Sequence, residues 1–450
     1  MEQATLPRAR AANERGRPPG SRAPAFAQAL AYGRDPLGFL IRRHRRYGDV
    51  FRISFPFFHD LVYVAEPALV KQLFTASPDE LHAGEANATV LEPALGPNSV
   101  LTLDGAEHMR QRKLLLPPFH GDRIRRYGET IEEMTRRQMD SWPVGEEFSL
   151  RPHTQRITLA VIMRAVFGVD DERRLVRFER LIDAFSARIS MITSLPPLRR
   201  DLGPGSPWRR FAAARDRLDE FIYEEIRLRR AEPGHGERDD VLSLLMGARD
   251  EDGQAMSDEE LRDELVTVLA AGHETTATGL AWAVERLLRN PGVLAKLRES
   301  LAAGEEAYLE ATVRETLRAR PVLVDVARRL TAPLEIGGYE LPAGSYLMAA
   351  IAAMHYREDL FPEPERFRPE RFLDGKADGY AWIPFGGGVR RCIGAAFAEY
   401  EMRIVLREIV SRAELRAPDP APEKVRIRNI TLVPQHGTRV VLESPLSEVS

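Results

Sequence analysis

The chain has 450 residues, of which 44% are hydrophobic and 29% charged, the balance expected of a soluble globular protein. Its 64 basic and 67 acidic residues give a formal charge of -3, so composition does not indicate nucleic acid as a partner. No stretch is long and apolar enough to span a membrane, and one cysteine excludes an internal disulfide and a four-cysteine metal site.

The predicted elements follow an N-terminal tail. Residues 1–20 are rich in Arg, Ala and Pro and contain no apolar segment, so we expect a disordered tail and no secretory signal. Pro36–Tyr47 is predicted as a helix, and Val50–Ile53 and Leu61–Val64 as short strands. Residues 67–318 carry an almost continuous helical pattern that Pro and Gly interrupt.

The C-terminal third adds strands to this helical pattern. Residues 195–207 form a Pro- and Gly-dense break, which is typical of a lid or a binding loop. Residues 334–341 predict a hairpin with Gly337 and Gly338 at its turn, and residues 425–442 predict further strands. The expected fold class is mainly α with a smaller β lobe (α+β), and residues 21–450 are expected to form one domain.

The single cysteine, Cys392, lies in an unusual segment, residues 385–394. Three consecutive glycines, residues 386–388, predict close backbone approach to another part of the molecule. Arg390 and Arg391 beside the sulfur favour its thiolate form. The residues alone leave three alternatives: a buried inert thiol, a nucleophile, or a single axial ligand to a metal.

A second unusual segment lies inside the predicted helix 257–290. Residues 265–282 are apolar on nearly all sides, which is typical of a helix buried in the core. Its centre nevertheless carries Glu274 and Thr275, and such groups are costly to bury unless they are paired. A zinc-protease helix is excluded, because Ala277 stands where the second histidine is required. A helix defect satisfied by water and a functional pair remain as alternatives.

A third pattern places Glu315 and Arg318 one helical turn apart, where they can pair. Most such pairs are exposed and contribute little to stability. Two Pro-Glu-Arg-Phe segments follow, which contain Arg366 and Arg371.

These segments, in this order, resemble the cytochrome P450 family in its soluble, bacterial-type form. Phe385, Gly388, Arg390, Cys392 and Gly394 match the haem-loop pattern F-x-x-G-x-R-x-C-x-G. Residues 271–275 match the central-helix pattern [AG]-G-x-[DE]-T, and the third pattern matches E-x-x-R followed by P-E-R-F. The resemblance implies the cytochrome P450 fold, a triangular, helix-rich prism around a buried haem b (iron protoporphyrin IX).

The resemblance also implies roles for individual residues. The Cys392 thiolate would be the proximal ligand of the haem iron, and haem thiolates favour O–O cleavage. Glu274 and Thr275 would admit dioxygen at the distal face and relay protons there. Glu315, Arg318 and Arg371 would form a buried ion triad, in which Arg371 is preferred to Arg366. The remaining residues implied to bind the cofactor are His108, Arg112, Arg328 (or its neighbour Arg329), His355, Phe385, Gly386, Arg390 and Gly394.

The implied function is a haem-thiolate monooxygenase. It would insert one atom of O2 into an apolar organic substrate of the lipid, terpenoid, steroid or polyketide class. Electrons would come from a separate ferredoxin or flavodoxin with its reductase, which would dock on basic residues near Arg390, Arg391 and residues 110–113. An H2O2-driven peroxygenase and a non-catalytic haem sensor are the alternatives. A cytoplasmic monomer without a membrane anchor is expected.

The resemblance implies that residues 85–99, 194–208, 270–275, 322–326 and 430–432 line the substrate pocket. Asp325 is the charged residue in the fourth of these segments. We expect it to cap a turn, as such residues commonly do. The alternative is that it faces the pocket and holds a substrate hydroxyl or amine.

Overall fold

The computed structural model describes residues 16–58, 60–119, 121–169, 171–373 and 379–445. The α-helices within these ranges are α1 (Ala25–Arg34), α2 (Pro36–Tyr47), α3 (Pro67–Thr75), α4 (Ala83–Leu95), α5 (Gly105–Leu115), α6 (Asp122–Arg126), α7 (Gly128–Met139), α8 (Leu150–Phe167), α9 (Glu172–Ser194), α10 (Pro207–Ala231), α11 (Val241–Gly247), α12 (Asp258–Leu288), α13 (Pro291–Ala302), α14 (Ala307–Ala319), α15 (Ile351–His355) and α16 (Ala395–Arg412). The strands are β1 (Val50–Ile53), β2 (Leu61–Val64), β3 (Leu81–His82), β4 (Glu147–Ser149), β5 (Val326–Leu330), β6 (Leu334–Ile336), β7 (Tyr339–Leu341), β8 (Tyr346–Ala349), β9 (Ala413–Arg416), β10 (Val425–Arg428), β11 (Thr431–Pro434) and β12 (Arg439–Pro445). The predicted mainly helical class is confirmed.

The largest sheet in the described residues has the strand order β1-β2-β8-β5-β3, in which only β2 and β8 run parallel. Its register aligns Tyr63 with Met348, and Met348 with Ala327. Residues aligned across a sheet share one face, so these three side chains lie on the same side. Strands β6 and β7 form the predicted hairpin, with positive φ at both turn glycines.

The N-terminal predictions agree with α2, β1 and β2 residue for residue. The predicted disordered tail, residues 1–20, differs from the structure at its C-terminal end. Residues 1–15 lie outside the described residues. Pro18 is buried, and the Arg52 N–H donates to the Pro19 carbonyl at 2.8 Å. The ordered chain therefore begins before residue 21, because the backbone there hydrogen-bonds to strand β1.

Helix α12 is the central element for the site. It begins at a capping box, in which the Ser257 hydroxyl accepts from the Glu260 N–H and the Glu260 carboxylate accepts in return. It ends at Leu288, two residues before the expected position, because Pro291 starts α13. It packs closely on α8, since a Cβ at Gly272 would lie 2.4 Å from Ile162 Cδ1.

The β10–β11 hairpin is fixed to this helix. Trp282 of α12 is fully buried, and its Nε1–H donates to the Leu432 carbonyl at 2.8 Å. The Leu432 N–H in turn donates to the Val322 carbonyl at 2.8 Å. These bonds hold the connection between α14 and β5 beside the central helix. No helix in the described ranges has the length and apolar character needed to cross a bilayer.

Candidate functional site

The cysteine loop makes the close approach that its glycines predict. The Cys392 N–H donates to the Phe385 carbonyl at 3.0 Å and closes the loop. Gly388 has φ +62°, and a Cβ on it would lie 2.0 Å from the Phe74 carbonyl oxygen of α3. A side chain at this position would therefore clash with backbone, so the loop requires glycine here.

The Cys392 sulfur borders an interior space. Its side chain is exposed, yet burial among surrounding protein atoms raises the pKa of the thiol. A group that is surrounded by protein and still accessible lies at the wall of a cavity. The Gly394 N–H donates to the sulfur, and Arg391 and Arg112 add positive charge, so all three favour the thiolate. Helix α16 begins at Ala395, and its N-terminal dipole acts in the same direction.

Helix α12 opens towards an interior space along one face. Between residues 261 and 285 every side chain is buried except those of Val268, Ala270, Ala271, Gly272 and Thr275. Positions 268, 271, 272 and 275 follow the i, i+3, i+4, i+7 spacing of a single helix face. Val268 and Ala270 pack against the same hydrophobic cluster as Ile393, the neighbour of Cys392. One hydrophobic cluster therefore connects the α12 residues beside this open strip with the neighbour of Cys392.

Thr275 and Glu274 have different environments at the centre of α12. The Thr275 hydroxyl lies in the open strip and donates to the Ala271 carbonyl one turn earlier. Glu274 is buried, and its carboxylate accepts from Arg151 Nη2 at 2.9 Å and from Asn429 Nδ2 at 3.3 Å. Arg428 Nε lies 3.4 Å from the same carboxylate. Ion pairing therefore offsets the cost of burying Glu274.

The partners of Glu274 could not be found from the sequence. Arg151 is 123 residues from Glu274, and Asn429 is 155 residues from it. The only signal was indirect, because a glutamate in an apolar helix requires a cation or donors from elsewhere.

Four basic side chains converge near the cysteine loop. Burial, followed by the charges of Arg390, Arg112 and Arg328, lowers the pKa of His108 to about 3. Burial and Arg390 lower the pKa of Arg328 to about 10. Asp104 pairs with Arg390. Three arginines and a neutral histidine, with one carboxylate among them, therefore form a cluster that an anionic group would stabilise.

Arg328, rather than Arg329, belongs to this basic cluster. Arg328 is 7% exposed, and among the described residues the one side-chain hydrogen bond it makes runs from Nη1 to the adjacent Ala327 carbonyl at 2.8 Å. Within the part of the chain that the structure describes, no carboxylate lies within ion-pair distance of it. Arg329 instead pairs with Glu85 near the surface. Arg112 completes the cluster and donates from Nη2 to the Arg391 carbonyl at 2.8 Å.

His355 lies elsewhere. Its ring is fully buried and accepts from the Ile383 N–H at 3.1 Å, while its carbonyl accepts from Arg318 Nη1 at 2.9 Å. These contacts place His355 beside the ion triad and correct its predicted position among the cofactor-binding residues. The short sequence pattern around His355 is compatible with a ring at the cofactor and with a ring beside the ion triad, so the sequence could not distinguish them.

The three predicted triad residues are in contact. The Arg318 guanidinium donates to both oxygens of the fully buried Glu315 carboxylate, at 2.7 and 2.8 Å. Arg371 Nε lies 3.1 Å from Glu315, and the Arg368 N–H donates to the same carboxylate at 2.8 Å. Arg366 is exposed and pairs with a surface glutamate. The second Pro-Glu-Arg-Phe segment therefore supplies the arginine, as expected.

The comparisons with known proteins agree with this geometry. A family model described as Cytochrome P450 matches residues 18–441. The chain belongs to the cytochrome P450 family. Cytochrome P450 135B1 of Mycobacterium tuberculosis is 41% identical over 94% of this chain and 91% of its own. Cytochrome P450 137 of the same organism is 42% identical, with the same shares covered. A solved cyanobacterial cytochrome P450, CYP120A1 bound to retinoic acid, superposes with a TM-score of 0.83 at 25% identity, covering 95% of this chain and 99% of that one.

Cytochromes P450 are haem monooxygenases, and the residues of this chain fit a haem. The iron requires one axial thiolate, and Cys392 is available at the wall of the interior space. The propionates require cations, and the basic cluster of His108, Arg112, Arg328 and Arg390 is at least partly buried, with Asp104 as its paired carboxylate. No single sequence motif contains both Cys392 and all four residues of the basic cluster.

Two of the cations expected near the docking face for a redox partner have acidic partners. Arg110 pairs with Asp250 at 2.6 Å, and Lys113 pairs with Glu251 at 2.6 Å. These acids come from the loop before α12 and neutralise two of the expected cations. Arg391 remains exposed beside Cys392.

Proposed function

We propose that this cytochrome P450 inserts one atom of O2 into an apolar organic substrate, with Cys392 as the axial ligand of its haem. In this proposal Arg112, Arg328, Arg390 and the neutral His108 bind the propionates. The observation that supports it best is the partly buried basic cluster next to an accessible thiol, because a dianionic macrocycle with an iron centre satisfies both at once.

The residues of the loop would maintain the thiolate. The Gly394 N–H and the positive end of α16 stabilise the negative sulfur, and Arg112 adds a cation nearby. Haem, when bound through a thiolate, supplies the activation of dioxygen. Glycine at position 388 lets the loop lie against Phe74, so the sulfur is held at a fixed place.

We infer that Glu274 and Thr275 move protons to the open strip. Thr275 lies in that strip, whereas the adjacent Glu274 is held by Arg151 and reaches towards Arg428, which is 40% exposed. A carboxylate between a solvent-facing arginine and an interior hydroxyl can pass protons inward while bulk water stays out.

The substrate class and the electron donor are part of the same proposal. The open strip contains Val268 and Ala271, which favours an apolar lipid, terpenoid, steroid or polyketide. The solved relative CYP120A1 is bound to retinoic acid, which supports the lipid or terpenoid class. Electrons would come from a separate ferredoxin or flavodoxin with its reductase, and exposed Arg391 would contribute to docking an acidic partner.

The test is turnover of a terpenoid or lipid selected by its low-spin to high-spin shift. A surrogate ferredoxin, its reductase and NADPH should give product that carries 18O from 18O2. Thr275→Val should keep NADPH consumption but lower product formation at least about tenfold, whereas Thr276→Val, a buried neighbour, should not. A turnover rate with H2O2 that equals the rate with the reductase system, and that Thr275→Val leaves unchanged, would indicate a peroxygenase. Absence of any product would indicate a sensor.

A further inference from the structure

Asp325 is not the carboxylate that acts on the basic cluster. Its Oδ2 accepts from the Tyr63 hydroxyl at 3.0 Å, and across the described ranges no backbone N–H donates to it, so the expectation of a turn cap is wrong. Successive residues of an extended chain point to opposite faces, so Asp325 points to the opposite side of the chain from Arg328. The carboxyl groups that are connected to the cluster lie on α12.

The first part of α12 holds the connection between α4 and α5. This connection, residues 96–104, forms neither a helix nor a strand. The Val100 N–H donates to Glu264 Oε1 at 2.8 Å. The Asn98 N–H and Nδ2 donate to Asp263 Oδ2 at 2.9 and 3.0 Å. Two adjacent acidic residues of the helix therefore bind two neighbouring residues of the connection.

The fit between the connection and α12 is tight. The Ser99 hydroxyl lies 2.7 Å from the Thr267 hydroxyl, and both residues are buried. Gly96 has φ +96°, and a Cβ on it would lie 2.2 Å from Asp263 Oδ1. The connection therefore cannot shift along the helix without breaking buried contacts.

The other side of the same connection holds Arg390. Its Nη1 donates to the Val100 carbonyl at 3.1 Å, and its Nη2 donates to the Leu103 carbonyl at 2.6 Å and to Asp104. Residues 100–104 therefore accept from three of the five N–H groups of this guanidinium and fix its plane. No other acceptor in the described part of the chain meets it, so the two remaining N–H groups are available to an anion.

Val100 links the two sides. Its N–H is bound by Glu264 and its carbonyl by Arg390, so both polar groups of one buried residue are fixed at once. Glu264 is fully buried, and burial raises the pKa of its carboxyl group well above the usual value. Its Oε2 has no hydrogen-bond partner among the described residues. Stability alone does not account for this carboxyl group, because an unpartnered buried oxygen is costly.

We propose that Glu264 positions Arg390 through residues 98–104 and thereby determines how firmly the haem propionates are held. This inference rests on the proposed function, in which Arg390 binds a propionate. Glu264 is a positioning residue, because it reaches Arg390 only through Val100. Without the Glu264 oxygen the Val100 N–H would be buried with no acceptor, and the connection would have to move to satisfy it.

The test compares Glu264→Leu with Glu264→Gln on the holoprotein, by the rate of haem transfer to apomyoglobin and by the reduction potential of the haem. Leucine removes the acceptor, so haem should leave about tenfold faster, and the potential should fall because a displaced Arg390 no longer offsets propionate charge. Glutamine is neutral and keeps an oxygen for the Val100 N–H, so the rate should stay within about twofold of wild type and the potential should not change. Glu259→Leu, at an exposed position in the first turn of the same helix, is the matched control and should change neither value.

A double variant separates positioning from a general folding defect. Arg390→Lys keeps the charge but cannot make three fixed bonds, so Glu264→Leu should not accelerate haem transfer further in that background. Asn98→Ala removes one bond to Asp263 at a partly exposed position and should accelerate transfer a few-fold. It tests the same connection where Glu264→Leu does not fold.

An equal effect of Glu264→Leu in the wild-type and Arg390→Lys backgrounds would overturn the inference. So would a Glu264→Gln variant that loses haem as fast as Glu264→Leu. The reduced carbon monoxide spectrum, recorded on each sample, tests the proposed function separately. A red-shifted Soret band together with no effect of Glu264→Leu refutes only the positioning role, whereas wild-type protein that takes up no haem refutes the proposed function.

Discussion

Replacing Glu315 with Gln should destabilise the protein more than any surface substitution of the same kind. Glu315 is 0% exposed, and its carboxylate is the common partner of Arg318 and Arg371. A neutral amide leaves two guanidinium groups without their anion in the interior. Removing one member of a buried ion pair costs about 3–5 kcal/mol, a large part of the ~5–15 kcal/mol by which a domain is stable.

The assay is urea unfolding of the holoprotein followed by far-UV circular dichroism, extrapolated to water. Glu363→Gln is the matched control, because Glu363 pairs with Arg366 at 2.7 Å while both side chains are more than half exposed. Such a pair contributes about 0–1 kcal/mol. A loss in Glu315→Gln no larger than that in Glu363→Gln would refute the argument that burial makes this triad important.

Three other predictions concern the cysteine loop and the groups around it. Gly388→Ala should release haem to apomyoglobin faster than Gly386→Ala does. Its free energy of unfolding, measured in urea, should be lower than that of Gly386→Ala by a further ~1–3 kcal/mol, because Gly386 has a similar φ but open space around it. Arg328→Leu should raise the rate of haem transfer to apomyoglobin, and Arg329→Leu should leave it unchanged, because only the first is buried in the basic cluster. Burial lowers the pKa of His355 to about 3, so below about pH 6.5 the unfolded chain binds a proton that the folded chain does not, and stability falls. His355→Gln should remove up to about 1.4 kcal/mol per pH unit of that slope, measured by urea unfolding from pH 6.5 down to 5.

Local chemistry made several features predictable from the sequence. Helix α2 and strands β1 and β2 were predicted at their observed bounds, since periodicity and turn residues define them within a few positions. Two adjacent glycines with positive φ determine the hairpin turn of β6 and β7. The Cys392 loop was recognisable because its fixed positions fall within ten residues.

Contacts between distant residues were not predictable. Arg151 reaches Glu274 across 123 residues, and Tyr63 reaches Asp325 across 262. His355 was placed with the cofactor because its pattern does not indicate the direction of its ring, which the Ile383 N–H fixes. Lys113 was expected on a basic docking face, and the sequence did not reveal that Glu251 pairs with it. Each of these differences depends on tertiary packing, which a one-dimensional pattern does not contain.

The spectrum of the reduced carbon monoxide complex tests the central claim most directly, since it reports the axial ligand itself. Wild-type protein reconstituted with hemin should give the red-shifted Soret band that a thiolate ligand produces, and Cys392→Ser should lose that band while retaining its far-UV circular dichroism. A wild-type protein that binds hemin without the red-shifted band, or a Cys392→Ser variant that still shows it, would contradict the assignment of Cys392 as the ligand of the iron.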